Sequence, residues 1–199
     1  MVTTCTYNSR ALASESSVDD VLMRARRIRY DVISLAETRI RQHFNTVYGT
    51  REELFLGTCD SREVGGVGAL VNTSFSMNID SLEQLTTRIR RLRLKRRETN
   101  PVLGIFVVNA PTSNYDEEEV DAFYMDLEKF YREDHTFFNV IIGDFNAMIR
   151  PTRTSEGRRI GTQVLEWNEQ GDQLAKFIIA PKTIHGNSQF HERHPQRWT

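Results

Sequence analysis

The sequence predicts an α+β fold built on mixed β-sheet, and three observations predict it. Short apolar runs of strand type alternate loosely with amphipathic helical stretches. Two of the runs, about Thr87 to Arg93 and Leu103 to Val108, are joined through the turn-forming Glu98-Thr99-Asn100-Pro101 and read as a hairpin, which a purely parallel sheet does not contain. No internal repeat or low-complexity linker divides the chain, so residues 1–199 are expected to form a single domain.

Taken in order, an apolar run from Val2 to Tyr7 ends at Asn8. A helix is expected from Ser16 to Arg29, because Val18, Val21, Leu22, Ala25 and Ile28 share one face. Asp31 to Ala36 is a buried-type strand that delivers Glu37-Thr38-Arg39 at its carboxyl end. Residues 38–63 are polar and irregular, whereas Val64 to Asn72 returns to a strand whose glycines permit close backbone approach. A further strand is expected from Phe75 to Ile79, ahead of the hairpin. Asp116 to Arg132 is the clearest helix, acidic at its start, with Val120, Phe123, Tyr124 and Leu127 at helical spacing. Phe137 to Ile142 is a strand leading into Gly143-Asp144-Phe145-Asn146. A surface loop is expected from Met148 to Thr162. The last helix is opened by Asn168 and carries Leu174, Phe177 and Ile178, before a tail with Phe190 and Trp198.

Charge narrows the classes of function. Lys and Arg total 26 against 27 for Asp and Glu among 199 residues, so a net charge of −1 argues against a globally basic nucleic-acid wrapper and against an acidic disordered tail. No apolar run reaches the roughly 18 residues of a membrane span, and the N-terminus lacks a signal-peptide pattern. An intracellular protein, nuclear or cytoplasmic, is expected. Cys5 and Cys59 form no CxxC pair and are expected to be free thiols. His185, His191 and His194 lack the spacing of a common zinc site.

The polar residues that close apolar runs carry the chemistry: Asn8, Glu37, and Asp144 with Asn146. Ligand sites in layered α/β proteins gather at the carboxyl ends of strands, where rigid elements aim side chains into one crevice. A hard cation such as magnesium takes one or two carboxylates plus phosphate oxygens and water, a set that Glu37 with Asp144 or Asn8 supplies.

Four segments occur in an order shared with one family: Tyr7-Asn8-Ser9-Arg10, Leu35-Ala36-Glu37-Thr38-Arg39, Asn109-Ala110-Pro111-Thr112 and Gly143-Asp144-Phe145-Asn146. Val64 to Gly68, Tyr115 to Val120, Asn168-Glu169-Gln170-Gly171 and Arg197-Trp198-Thr199 add to the match. Over essentially its whole length the chain resembles the endonuclease/exonuclease/phosphatase superfamily, and within it the apurinic-type endonuclease domain of nematode RTE-type non-LTR retrotransposons. The resemblance implies a four-layer α/β sandwich similar to deoxyribonuclease I, with two mixed β-sheets flanked by helices, and hydrolysis of DNA phosphodiesters with Mg²⁺ or Mn²⁺. It implies that Glu37 holds the metal, that Asn8 helps position metal and phosphate, that Asp144 aligns or deprotonates the attacking water, and that Asn146 binds the scissile phosphate. Asn109 stands where the family has a phosphate-binding tyrosine. The family also continues past the Arg197-Trp198-Thr199 match into an Asp-His element and C-terminal strands, so a domain incomplete at its C-terminus, with impaired turnover, is expected.

The run from Arg88 to Arg97 offers Arg88, Arg90, Arg91 and Arg93, with Arg39, as DNA phosphate contacts, or else forms a solvated hairpin edge. DNA is the expected partner, and a reverse transcriptase domain accompanies the parent element in the family. Two other readings stay open: a catalytically dead DNA-binding or interaction module, and a superfamily phosphoesterase acting on small phosphate esters.

Overall fold

The computed structural model describes residues 2–9, 15–41, 44–47, 52–60, 62, 65–95, 103–149, 168–180, 183, 184 and 186. They fall into two compact units, one made of Met1–Asn109 with His135–Asp144, the other of Ala110–Asp134 with Phe145–Thr199.

The first unit is a two-sheet sandwich. Its first sheet contains β1 (Thr4–Asn8), β2 (Val32–Thr38), β3 (Phe44–Val47), β4 (Glu53–Leu56) and β5 (Gly66–Val71) in the order β1-β2-β5-β4-β3. Here β1 and β2 are parallel and the remaining neighbours antiparallel. The second sheet contains β6 (Ile79–Gln84), β7 (Ile89–Leu94), β8 (Leu103–Asn109) and β9 (Phe138–Asp144) in sequence order, antiparallel except for the parallel pair β8 and β9.

Strand alternation sorts the core into two layers. Val32, Val67, Ala69 and Val71 of the first sheet pack against Leu92, Leu94, Ile105, Val107 and Ile142 of the second. On the other face of the first sheet, Ile33, Leu35, Leu54, Leu56 and Leu70 receive Val18, Val21, Leu22 and Ala25 of helix α1 (Glu15–Ala25). Burying side chains of this kind contributes about 1.5–3 kcal/mol each relative to exposure.

In the second unit, α3 (Glu117–Glu133) is capped by Asp116, whose carboxylate accepts from Glu119 N at 2.8 Å. It pairs with α4 (Glu169–Ile179) through the Tyr124 and Phe177 rings, 5.8 Å between centroids, and through Gln173 Nε2 donating to Asp121 Oδ1 at 3.0 Å. Asp134 ends α3, and His135 after it is exposed.

Three expectations change. The stretch 38–63, read as irregular, contains β3 and β4. Phe75 to Ile79 is not one strand: Asn72 caps the short helix α2 (Thr73–Ser76), and β6 starts at Ile79. The basic strand β7 lies inside its sheet between β6 and β8, so it is no hairpin edge. Cys5 and Cys59 are free thiols as expected. Among the described residues no helix is long and apolar enough to cross a membrane. The loop beyond Ile149, Trp167, the three tail histidines, Phe190 and the Arg197-Trp198-Thr199 match lie outside the described residues.

Candidate active site

Each sheet brings a parallel strand pair to the same end of the sandwich, and the expected site residues of the first unit stand there. In the first sheet, Asn8 closes β1 in register with Ala36 of β2 and is exposed. The next residue, Ser9, is 1% exposed and pins the turn: its N–H and its Oγ both donate to the Ala36 carbonyl oxygen, at 2.8 and 2.6 Å. One residue further along β2, the pairing with β5 slips from Leu35 opposite Gly68 to Thr38 opposite Gly66. The extra residue makes a β-bulge, and Glu37 inside it has φ 57°. Bulges cluster beside active sites because they re-aim a side chain, and a left-handed non-glycine residue costs about 1–3 kcal/mol that the surrounding structure must offset. Gly66 makes the bulge possible, since a Cβ there would overlap the Thr38 carbonyl and hydroxyl oxygens.

In the second sheet, β8 and β9 end together, with Asn109 opposite Asp144. Gly143 has φ 147°, and a Cβ on it would overlap the Val108 carbonyl oxygen, so only glycine brings β9 this close to β8. Asp144 is half-buried. Asn109 is 2% exposed, and its side-chain Oδ1 is buried with no hydrogen-bond partner among the described residues. A buried acceptor without a donor is uncommon in folded proteins.

Arg88 joins the two ends. Its Nη1 donates to the Asn109 carbonyl oxygen at 3.4 Å, and its own carbonyl oxygen accepts from Asn109 N at 3.0 Å. Its Nη2 lies 3.9 Å from Asp60 Oδ2. The guanidinium also lies against Gly65, where a Cβ would come 2.7 Å from Nη1, and the next residue, Gly66, pairs with Thr38 beside Glu37.

Asn146 belongs to the second unit. It too is left-handed, φ 50°, and with Glu37 it completes the set of positive-φ non-glycine residues among those described. Its Nδ2 donates to the Ala110 carbonyl oxygen at 2.9 Å, and its carbonyl oxygen accepts from Asn168 Nδ2 at 3.1 Å. Asn168 Oδ1 accepts from Met148 N at 2.8 Å and from Gly171 N at 2.9 Å, so one amide caps α4 and holds the strand-end loop. Gly171 lets the Met148 carbonyl approach the helix where a Cβ would overlap it. The Asn168 to Gly171 match therefore has a packing cause.

The basic run does not form one exposed face. Arg90 is 3% exposed on the inter-sheet side, and burial pushes its guanidinium down to about 10, with Nε and Nη1 lacking hydrogen-bond partners among the described residues. Arg91 and Arg93 point the opposite way and pair with Glu83 at 2.5 and 3.3 Å. Arg39 is exposed. Sequence reasoning passed over Ser9, Asp60 and Gly143. The Ser after Asn8 and the Gly before Asp144 were visible, but their pairing partners lie 27 or more residues away.

The donor set fits a hard cation. Glu37 and Asp144 are carboxylates, and Asn8 and Asn109 bring amide oxygens, one of them orphaned. No group of three or more His, Cys, Asp and Glu side chains gathers among the described residues. Magnesium does not require one, since it keeps several waters and uses one or two carboxylates with substrate phosphate oxygens.

The architecture is an α+β sandwich of two mixed sheets, and it is shared with solved structures. Among solved structures, the endonuclease domain of TRAS1, a telomere-specific non-LTR retrotransposon, matches 89% of this chain and 69% of its own, with a TM-score of 0.57 and 14% identity. An endonuclease/exonuclease/phosphatase family protein from Leptotrichia buccalis matches 74% of this chain and 67% of its own, with a TM-score of 0.51 and 13% identity. The likeness is one of fold, and the expected α+β sandwich is the fold found. No protein-family model matches the sequence, and no curated protein does.

Proposed function

We propose that the chain hydrolyses phosphodiesters of DNA as a divalent-metal-dependent endonuclease of the retrotransposon type. The observation that carries this reading is Glu37, a carboxylate held in a left-handed bulge at a strand end, the kind of position at which layered α/β proteins gather ligand sites. Glu37 and Asn8 would hold magnesium or manganese, which supplies Lewis-acid charge at a phosphoryl oxygen when bound. Asp144 orients the attacking water and takes up its proton, a role open to a half-buried carboxylate at the sheet edge. The Asn109 amide, next to it in register, donates to a phosphate oxygen without adding negative charge. A reverse transcriptase domain is the partner that the retrotransposon resemblance brings with it.

Nicking of supercoiled plasmid tests the proposal. Magnesium-dependent nicking should disappear with chelator and fall by about 10²-fold or more in Glu37→Ala and in Asp144→Ala. A folded wild-type chain that leaves plasmid intact, or one that hydrolyses only small phosphate esters, would overturn it.

A further inference from the structure

Away from the strand-end residues, one charge is buried without a counter-charge in the layer between the two sheets. Arg90 stands on the inter-sheet face of β7, in register with Gln84 of β6 and Val107 of β8, two residues before Leu92 of the core. It is 3% exposed, its Nε and Nη1 are buried without hydrogen-bond partners, and it forms no ion pair with the rest of the chain. Burial lowers the guanidinium only to about 10, so it carries its charge at neutral pH. The polar neighbours are engaged elsewhere. Gln84 Oε1 accepts from Thr58 N at 3.2 Å, and Gln84 Nε2 donates to Thr58 Oγ1 at 3.0 Å. The Val67 carbonyl oxygen accepts from Gly57 N at 2.9 Å. Gly57 keeps room beside the arginine stem, since a Cβ there would come 3.3 Å from Arg90 Cδ and 2.8 Å from Gln84 Oε1. Taking a charge out of water without a counter-charge is among the costliest events in folding, and an anion on the guanidinium offsets that cost while using its free N–H groups.

We propose that Arg90 seats a small monovalent anion of the chloride class between the two sheets, through Nε–H and Nη1–H. Two donors from one fork suit a single, weakly hydrated charge, and Val107 beside Arg90 in the sheet is apolar and fully buried. A phosphate would bring more oxygens than this site has donors, and each one left unmatched would add its own desolvation cost. At 3% exposure the guanidinium is also closed to a nucleic-acid backbone, so the expected DNA contact at Arg90 gives way to an internal one. The proposal is independent of the endonuclease reading.

Thermal unfolding at fixed ionic strength, with chloride replacing gluconate stepwise, tests the proposal. The wild-type Tm should rise and saturate, by about 4 °C at ten times the dissociation constant, because the anion binds only the folded chain. Arg90→Met should show no such rise and should be at least as stable as the wild type in gluconate, since the buried charge is gone. A wild-type Tm that ignores chloride, or an equal rise in Arg90→Met, would overturn the proposal. Anomalous diffraction from wild-type crystals grown in bromide keeps the test independent of how the variant folds. A bromide peak on the Arg90 guanidinium is expected together with the Tm rise. Its absence would overturn the proposal, and a peak without any rise would mean an adventitious ion only and overturn it equally.

Discussion

The two sheets reach the same end of the sandwich by opposite means. In the first, β2 carries a glutamate through a left-handed bulge, φ 57°, and the neighbouring strand supplies the glycine that makes room. In the second, β9 places its own glycine, Gly143, in the irregular position and puts the carboxylate one residue later, in regular pairing with Asn109. Both devices place a carboxylate, but only the first stores strain in the carboxylate residue itself. A fold that needed only a turn after β2 would carry glycine at 37. A glutamate there means that the side chain matters more than the backbone cost.

The comparison breaks first at Gly143. Gly143→Ala should destabilise the chain by about 3 kcal/mol, because its Cβ meets the Val108 carbonyl oxygen within a packed strand pair, and denaturant unfolding would measure it. A cost below about 1 kcal/mol would show that β9 has slack and that its end is not built by close approach. At the other end the sign reverses. Glu37→Gly should raise stability by about 1 kcal/mol while abolishing nicking, the pattern of strain kept for function. Lost stability in that variant would mean that the carboxylate, not the bulge, anchors the strand end.

Ser9→Ala should cost about 1 kcal/mol by removing the buried hydroxyl bond to Ala36 that sets the end of β1 beside Glu37. The smallest effect lies at Glu83 of β6, which pairs with Arg91 and Arg93 of β7. The guanidinium of Arg91, with Arg93, holds the Glu83 carboxyl below the usual carboxylate range. Its folded value is lowered, so the contribution is present above the unfolded value, about 4.3, and is lost as pH falls through the folded one. Glu83 is 40% exposed and solvent screens it, so Glu83→Gln should change stability at neutral pH by less than about 0.5 kcal/mol. The difference between the two proteins should vanish in acid.

Period-two and helical patterns carried most of the fold. β2, β5, the β7–β8 hairpin, α3, β9 and α4 stand within a few residues of where apolar spacing puts them. Both β3 and β4 escaped because each spans four residues, too few for a period to register, and their pairing is with each other and with β5. Arg90 escaped for a related reason: local sequence shows a basic run, but only the sheet order reveals that β7 is interior and that its even-numbered positions face the core. Of the candidate site, the strand-end positions of Asn8, Glu37 and Asp144 were legible, since each ends an apolar run. The bulge at 37 was not, because it depends on register between strands distant in sequence.

The central claim, that the ends of the two sheets work as one centre, is tested most directly by single-turnover nicking with magnesium of Glu37→Ala, Asp144→Ala and the double variant. Residues that act as a unit are far from additive, so the double variant should nick no more slowly than the worse single variant. Losses that multiply in the double variant would contradict the account, and would mean that the strained glutamate and the paired aspartate serve separate functions.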